Sequence, residues 1–235
     1  MQTDMTVGKP MKMLLNFTIP VFLGNVFQQL YSMADAVIVG KFVGTKGLAA
    51  VGATGTITFL IIGFLMGVTT GVTVLTSQKF GAGRMDEMRK TVGNAAILSA
   101  VIAVVMTAVS MLGMHRLLVF MHTPEDIFDG AYGYIMIICA GIFTQVLYNL
   151  VSSILRALGN SKTPLYFLIL AAGLNIVLDL VFIIFFHWGA PGAAWATVIS
   201  QGVSGVLCLI YMWKAVPELK MKKEDWYFNR DIAVK

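Results

Sequence analysis

Six apolar runs separated by short polar connections dominate the chain, at about Leu14–Val39, Ile57–Leu75, Gly93–Met114, Ala131–Leu155, Pro164–Phe186 and Gly192–Trp213. Each is near the roughly 20 residues that an α-helix needs to cross a bilayer. The pattern therefore predicts six membrane-spanning helices, and the short connections predict that successive spans are antiparallel neighbours in a compact bundle. The first run is about 25 residues long, well beyond the roughly 7–15 apolar residues of a secretory signal core. No small-residue cleavage pattern closes it, so it reads as a retained span. Pro20 lies inside it, removes a backbone donor and predicts a kink. In the second run Gly63, Gly67 and Gly71 recur every fourth residue, a spacing that lets two helix backbones approach closely. Packing inside the bundle is preferred over dimerisation as the use of that stripe.

Composition strengthens the membrane reading. Hydrophobic residues make up 57% of the 235 and charged residues 12%, with a mean hydropathy of +0.80. Soluble domains carry about 25% charged residues, and a soluble domain of this length could not hide so much apolar surface. The expected fold class is all-α and integral to the membrane: a six-transmembrane-helix bundle. The net charge of +5 does not indicate nucleic acid, because the basic residues sit between apolar runs and form no single stripe. Fourteen of the seventeen Lys and Arg residues fall in the N-terminus, the second and fourth connections and the C-terminal tail; only Lys41, Lys46 and Arg116 lie on the other side. That bias places both termini in the cytoplasm. Residues 1–13 are then a cytoplasmic N-terminus, 14–213 the six-helix lobe, and 214–235 a basic cytoplasmic tail or inter-lobe linker that touches anionic headgroups.

Against this background two acids stand out. Asp35 and Asp179 sit within the first and fifth runs, where an acidic side chain costs roughly 2.5–3.5 kcal/mol on insertion scales. Such a cost is tolerated where the carboxylates face protein, water or a cation. Asn175 precedes Asp179 by one helical turn and shares its face, which makes an oxygen-rich half-site suited to Na⁺ or a proton. Asp35 completes it if the first and fifth spans touch, and Thr197, at similar depth in the sixth, is a further oxygen ligand. Tyr134 and Asn149 are candidates to line the same cavity. Gln28, Gln29, Gln145, Asn149 and Gln201 read equally well as polar glue between helices. His115, His122 and His187 lack metal-ligand spacing, Cys139 and Cys208 read as small core residues, and no Gly-rich Lys-Ser/Thr nucleotide loop is present.

Four segments in order, IPVFLGNVFQQLYSMADAVIVGKFVGTKGLAAVGA, SQKFGAGRMDEMRK, LRALGNSKTPL and GAPGAAWATVISQ, resemble the amino-terminal half of MATE (multidrug and toxic compound extrusion) transporters. In the first of them an acid ends the first helix before a Gly/Ala-rich loop. The resemblance implies a cation site formed by Asp35, Asn175, Asp179 and Thr197, with Gln28, Tyr134 and Asn149 around it and a first helix that bends at Pro20. It implies no cofactor, no metal beyond Na⁺, and a coupling ion that is Na⁺ or H⁺. The expected protein is a secondary antiporter, not an enzyme, in the plasma membrane (a bacterial inner membrane), exporting small organic, cationic compounds. MATE transporters have twelve helices in two lobes, whereas this sequence stops after six and a linker. A truncated product or fragment that lacks its second six-helix lobe is expected, in preference to a half-size protein that dimerises.

Two alternatives stand beside this one. A lipid-linked oligosaccharide or polysaccharide flippase of the same superfamily shares the helical pattern, but the intramembrane acids favour cationic substrates. An intramembrane aspartyl protease also needs two membrane aspartates. The acids here lie in Met33-Ala34-Asp35 and Val177-Leu178-Asp179, without the Tyr-Asp and Gly-x-Gly-Asp motifs of such enzymes.

Overall fold

A computed structural model describes residues 10–221 and 223–227 of the chain. Seven α-helices are present among the described residues: α1 (Pro10–Phe42), α2 (Thr45–Gly81), α3 (Met85–Phe120), α4 (Glu125–Ala140), α5 (Ile142–Ala157), α6 (Lys162–Leu180) and α7 (Gly189–Ala215). Among the described residues five helices are long and apolar enough to cross a membrane, and the count is six where α4 and α5, bent by 46° at their junction, are taken as one span. The six spans read from the sequence agree with that upper count. Most of residues 1–13, expected as a cytoplasmic terminus, lies outside the described residues, as do residue 222 and residues 228–235 of the tail.

The helices run longer than hydropathy alone suggests. α2 begins at Thr45, so the Gly/Ala-rich stretch expected as a loop is its first three turns. Gly47, Gly52 and Gly55 disfavour helix by propensity, and burial of Ala50 and Thr54 holds it, with α1 and α2 joined by a tight turn at Gly44, whose φ is 90°. α1 stays helical through Pro20, so the predicted kink does not interrupt it. The fourth span, expected as one helix, breaks at Gly141. A side chain at 141 would collide with Val198 of α7, and the hydroxyl of Thr144 donates to the Gly141 carbonyl at 2.7 Å. From α3, Thr107 donates to the Cys139 carbonyl at 3.3 Å. Side chains entering the helical ladder at this point account for the bend.

Helix order in space departs from order in sequence. α1 packs chiefly against α6, whereas α5 packs against α7 and α2 and touches α6 little. α7 lies in the middle, against α4, α5 and α6, because Ala190, Ala193, Ala194, Ala196, Ser200, Ser204 and Gly205 give it a buried small-residue surface. Ser204 donates to the Phe167 carbonyl of α6 at 2.8 Å, and Tyr148 of α5 to that of Pro164 at 3.0 Å. Both bonds tie spans that follow one another in sequence. The expectation of sequential neighbours holds for α2 with α3, α3 with α4 and α5, and α6 with α7. It is weak for α1 with α2 and for α5 with α6, where α1 and α5 find larger surfaces on α6 and on α7 and α2.

The glycine stripe of α2 also departs from expectation. No atom of the lobe comes within 4 Å of where a Cβ would stand on Gly63, Gly67 or Gly71. The stripe that packs is Ile57, Ile61, Leu65, Thr69 and Val72, offset from the glycines by two residues, or about 200° around the helix. Gly67 and Gly71 instead border an open cleft between α2 and α3, beside Thr91, Ala95 and Leu98. Cys139 and Cys208 are buried and unpaired, as expected of small core residues. Large apolar side chains such as Leu112 and Phe185 stand at 80% exposure or more on the outer surface, which suits a protein whose solvent is lipid.

Candidate functional site

α1 and α6 pack against each other, and each carries a polar stripe. On α1, Gln28, Tyr31, Ser32 and Asp35 stand at i, i+3, i+4 and i+7 and share a face. On α6, Asn175 and Asp179 are one turn apart and both fully buried. Directly after Asp179 the helix widens, with a π-helical turn over Val181–Phe185. Such turns are rare and occur often at functional sites. Gly192 of α7 makes room for this turn: a Cβ there would stand 3.2 Å from the Cβ atoms of Phe182 and Trp188.

The Asp35 and Asp179 carboxyl groups reach each other across the α1–α6 contact. Neither Asp179 oxygen has a hydrogen-bond partner, nor does Asp35 Oδ1 or either polar atom of the Asn175 amide. The Tyr31 hydroxyl is buried beside Thr197 and close to both acids and Tyr134, yet completes no hydrogen bond. Buried polar atoms are normally paired, so this concentration of unpaired polar atoms inside an apolar lobe is where a water, a proton or a cation would find partners. Asp35, Asp179, Asn175 and Thr197 together offer carboxylate, amide and hydroxyl oxygens, the donor set of a hard cation. Among the described residues no group of three or more His, Cys, Asp or Glu could hold a metal ion.

A cavity of about 200 Å³ opens in front of Asp35, between α1, α2, α4, α5 and α7. Gln28, Asp35, Tyr134, Asn149 and Thr197 all line it, so five of the sequence-derived candidates share one cavity, contributed by four helices. Asp179 and Asn175 do not line it. Pro20 is fifteen residues before Asp35, about 22 Å along the helix, and takes no part in the cavity. Gln145 and Gln201, read from the sequence as possible glue, also face it. Asn149 donates to the Gln145 carbonyl at 2.9 Å, which holds that side of the wall. Tyr31 was not anticipated, although its place one turn before Asp35 is the signal that could have found it.

Fold and site together define a polytopic helical membrane protein with a polar cavity enclosed in an apolar shell, the construction of a transporter lobe. The MatE family model matches residues 20–181, and the chain belongs to that family, whose members are transporters and not enzymes. It is 33% identical over 211 residues to the probable multidrug resistance protein YpnP of Bacillus subtilis (strain 168), a match covering 90% of this chain and 47% of that protein. The probable multidrug resistance protein NorM of Thermotoga maritima is 28% identical over 229 residues, covering 94% and 49%. A crystal structure of a MATE mutant matches with a TM-score of 0.91 at 27% identity, over 99% of this chain and 53% of that one. The chain thus spans about half the length of the curated relatives it matches. Membership sets aside the aspartyl protease, and the relatives do not favour the flippase.

Proposed function

We propose that this chain forms the cation-coupling lobe of an antiporter that exports small organic cations, with Na⁺ or H⁺ moving inward in exchange. One observation carries the reading: the carboxylates of Asp35 and Asp179, on two different helices, meet inside an apolar lobe beside an unpaired Asn175 amide. Two carboxylates brought together out of water repel, and a proton or Na⁺ between them removes the repulsion. Asp35, Asp179, Asn175 and Thr197 are the cation ligands; Gln28, Tyr134 and Asn149 shape the cavity in front of them. When the cation binds, α1 is drawn towards α6 and bends at Pro20, which reshapes the cavity wall that Asp35 lines. The acid at that wall favours a cationic substrate, and the multidrug resistance names of the relatives support an organic one.

A complete transporter on this reading needs a second six-helix lobe facing the cavity, with residues 214–235 leading towards it. The Lys and Arg bias supports a plasma-membrane protein with both termini in the cytoplasm. The test is sodium binding by the purified chain across a range of pH, with Asp179→Asn as control, together with efflux by a complete two-lobe protein that carries the same substitution. Saturable binding lost in the variant supports Na⁺ coupling. Absence of sodium binding, together with proton-driven efflux that the substitution abolishes, supports H⁺. Full ion-coupled efflux by both Asp35→Asn and Asp179→Asn would falsify the proposal.

A further inference from the structure

After α7 the chain turns back onto the lobe. Val216 and Leu219 are buried, and so is Asp225, whose Oδ2 lies 3.4 Å from Nε of Arg89 on α3. The Arg89 side chain is only 14% exposed and also pairs with Asp86. Asn94 donates to the Tyr227 carbonyl at 3.4 Å. Gly93 makes the approach possible, since a Cβ there would collide with the Asp225 carbonyl. The described tail is therefore seated on α3 by a partly buried ion pair and a glycine contact.

Seated there, it forms one wall of a cavity of about 440 Å³ whose other walls are α3, α5 and α7. That volume falls within the roughly 300–1,000 Å³ of small-molecule sites. Its lining is apolar, with Ala96, Leu150, Trp213, Met221 and Trp226 among the contributors. The rim is basic. Lys214 directly follows Trp213, Lys220 directly precedes Met221, and Lys90 lies one turn before Asn94 on α3; all three lysines are exposed. Trp213 and Trp226 are 74% and 52% exposed, and an indole that is partly apolar and partly wet is suited to the headgroup level of a bilayer.

We propose that this slot binds an anionic phospholipid, its acyl chain between α3, α5 and the tail and its phosphate against Lys214 and Lys220. The excess of lysine over glutamate among the flanking residues favours an anion over an organic cation. The slot is independent of the cation site, because none of Asp35, Asn175, Asp179 or Thr197 lines it.

The test uses the full chain in phosphatidylcholine vesicles containing a minor fraction of phosphatidylglycerol, with bromine on the acyl chains of one lipid or the other. Tryptophan emission is read in a Trp188→Phe/Trp195→Phe background, so that only Trp213 and Trp226 report. Brominated phosphatidylglycerol is expected to quench more per mole than brominated phosphatidylcholine. The preference should vanish in Lys214→Gln/Lys220→Gln. It should vanish also in Gly93→Leu, which unseats the tail without removing a charge, and it should survive millimolar inorganic phosphate. If Gly93→Leu does not fold, the lysine variant decides. Equal quenching by both lipids means ordinary boundary lipid and overturns the proposal. So does a preference that persists in the lysine variant, or one that inorganic phosphate abolishes, which would mark a simple anion site.

Discussion

Helices α1 and α7 wall the same cavity and are held in opposite ways. In the most apolar stretch of α7 half of the residues are buried within the lobe; in that of α1 only 11% are. α7 achieves this with small side chains. A Cβ on Gly205 would stand 3.2 Å from the Tyr148 backbone nitrogen, and Ala193, Ala194 and Ala196 are wholly enclosed. α1 buries little beyond a thin stripe through Gly24, Tyr31, Asp35, Ile38 and Val39, mostly against α6. The rigid helix carries a hydroxyl, Thr197, and the loosely held one carries the charge, Asp35. Elements with few buried contacts are the ones that move at low cost, so the cation proposed to bridge α1 and α6 would act on the part of the lobe most easily displaced.

The strongest way to break this comparison is to remove the bridge. Asp179→Asn or Asp35→Asn is expected to abolish saturable cation binding while the lobe stays folded, as read by radioactive sodium or proton uptake beside a thermal melt. Retained binding in either variant would separate the α1–α6 contact from ion recognition. Next in size is overpacking of the rigid helix. Ala194→Leu should destabilise the lobe by about 1–3 kcal/mol, seen as a lower melting midpoint in detergent.

A smaller change in stability, with a larger one in transport, is expected at Pro20. An interior proline costs a helix about 3 kcal/mol relative to alanine, so Pro20→Ala should leave the melt unchanged or raised. Ion-coupled efflux by a complete two-lobe protein should nevertheless fall. Unaltered efflux would remove bending of α1 from the mechanism. The smallest effect belongs to Phe22→Ala on the outer face of α1, where the ring is 63% exposed; the change should stay within about 0.5 kcal/mol. A loss as large as that of Ala194→Leu would show that α1 is anchored as firmly as α7, and the contrast would collapse.

Much of this lobe is legible in the linear pattern. Six spans follow from run length, and the acids that share a site are marked by the cost of placing them in lipid. Tyr31 shows how a local rule was available and unused, since it lies one turn from Asp35. Gln145 and Gln201 show a limit, because an amide that joins helices and one that faces a cavity look the same in sequence. Gly63, Gly67 and Gly71 show another. Their spacing signals close approach but does not say to what, whereas isolated glycines such as Gly93, Gly141, Gly192 and Gly205 meet neighbouring elements within the lobe.

Sequence by itself determined that the chain is helical, that it resides in lipid, how many times it crosses, and that two carboxylates inside it need a partner. Each of these is a property of one segment against its solvent, set by hydropathy and by the price of burying charge. Tertiary structure alone decided that α1 lies on α6 and not chiefly on α2, that the fourth span bends at Gly141, and that the tail folds back onto α3. Those outcomes depend on which two surfaces fit at close range, and shape complementarity between distant segments leaves no periodic trace in either one.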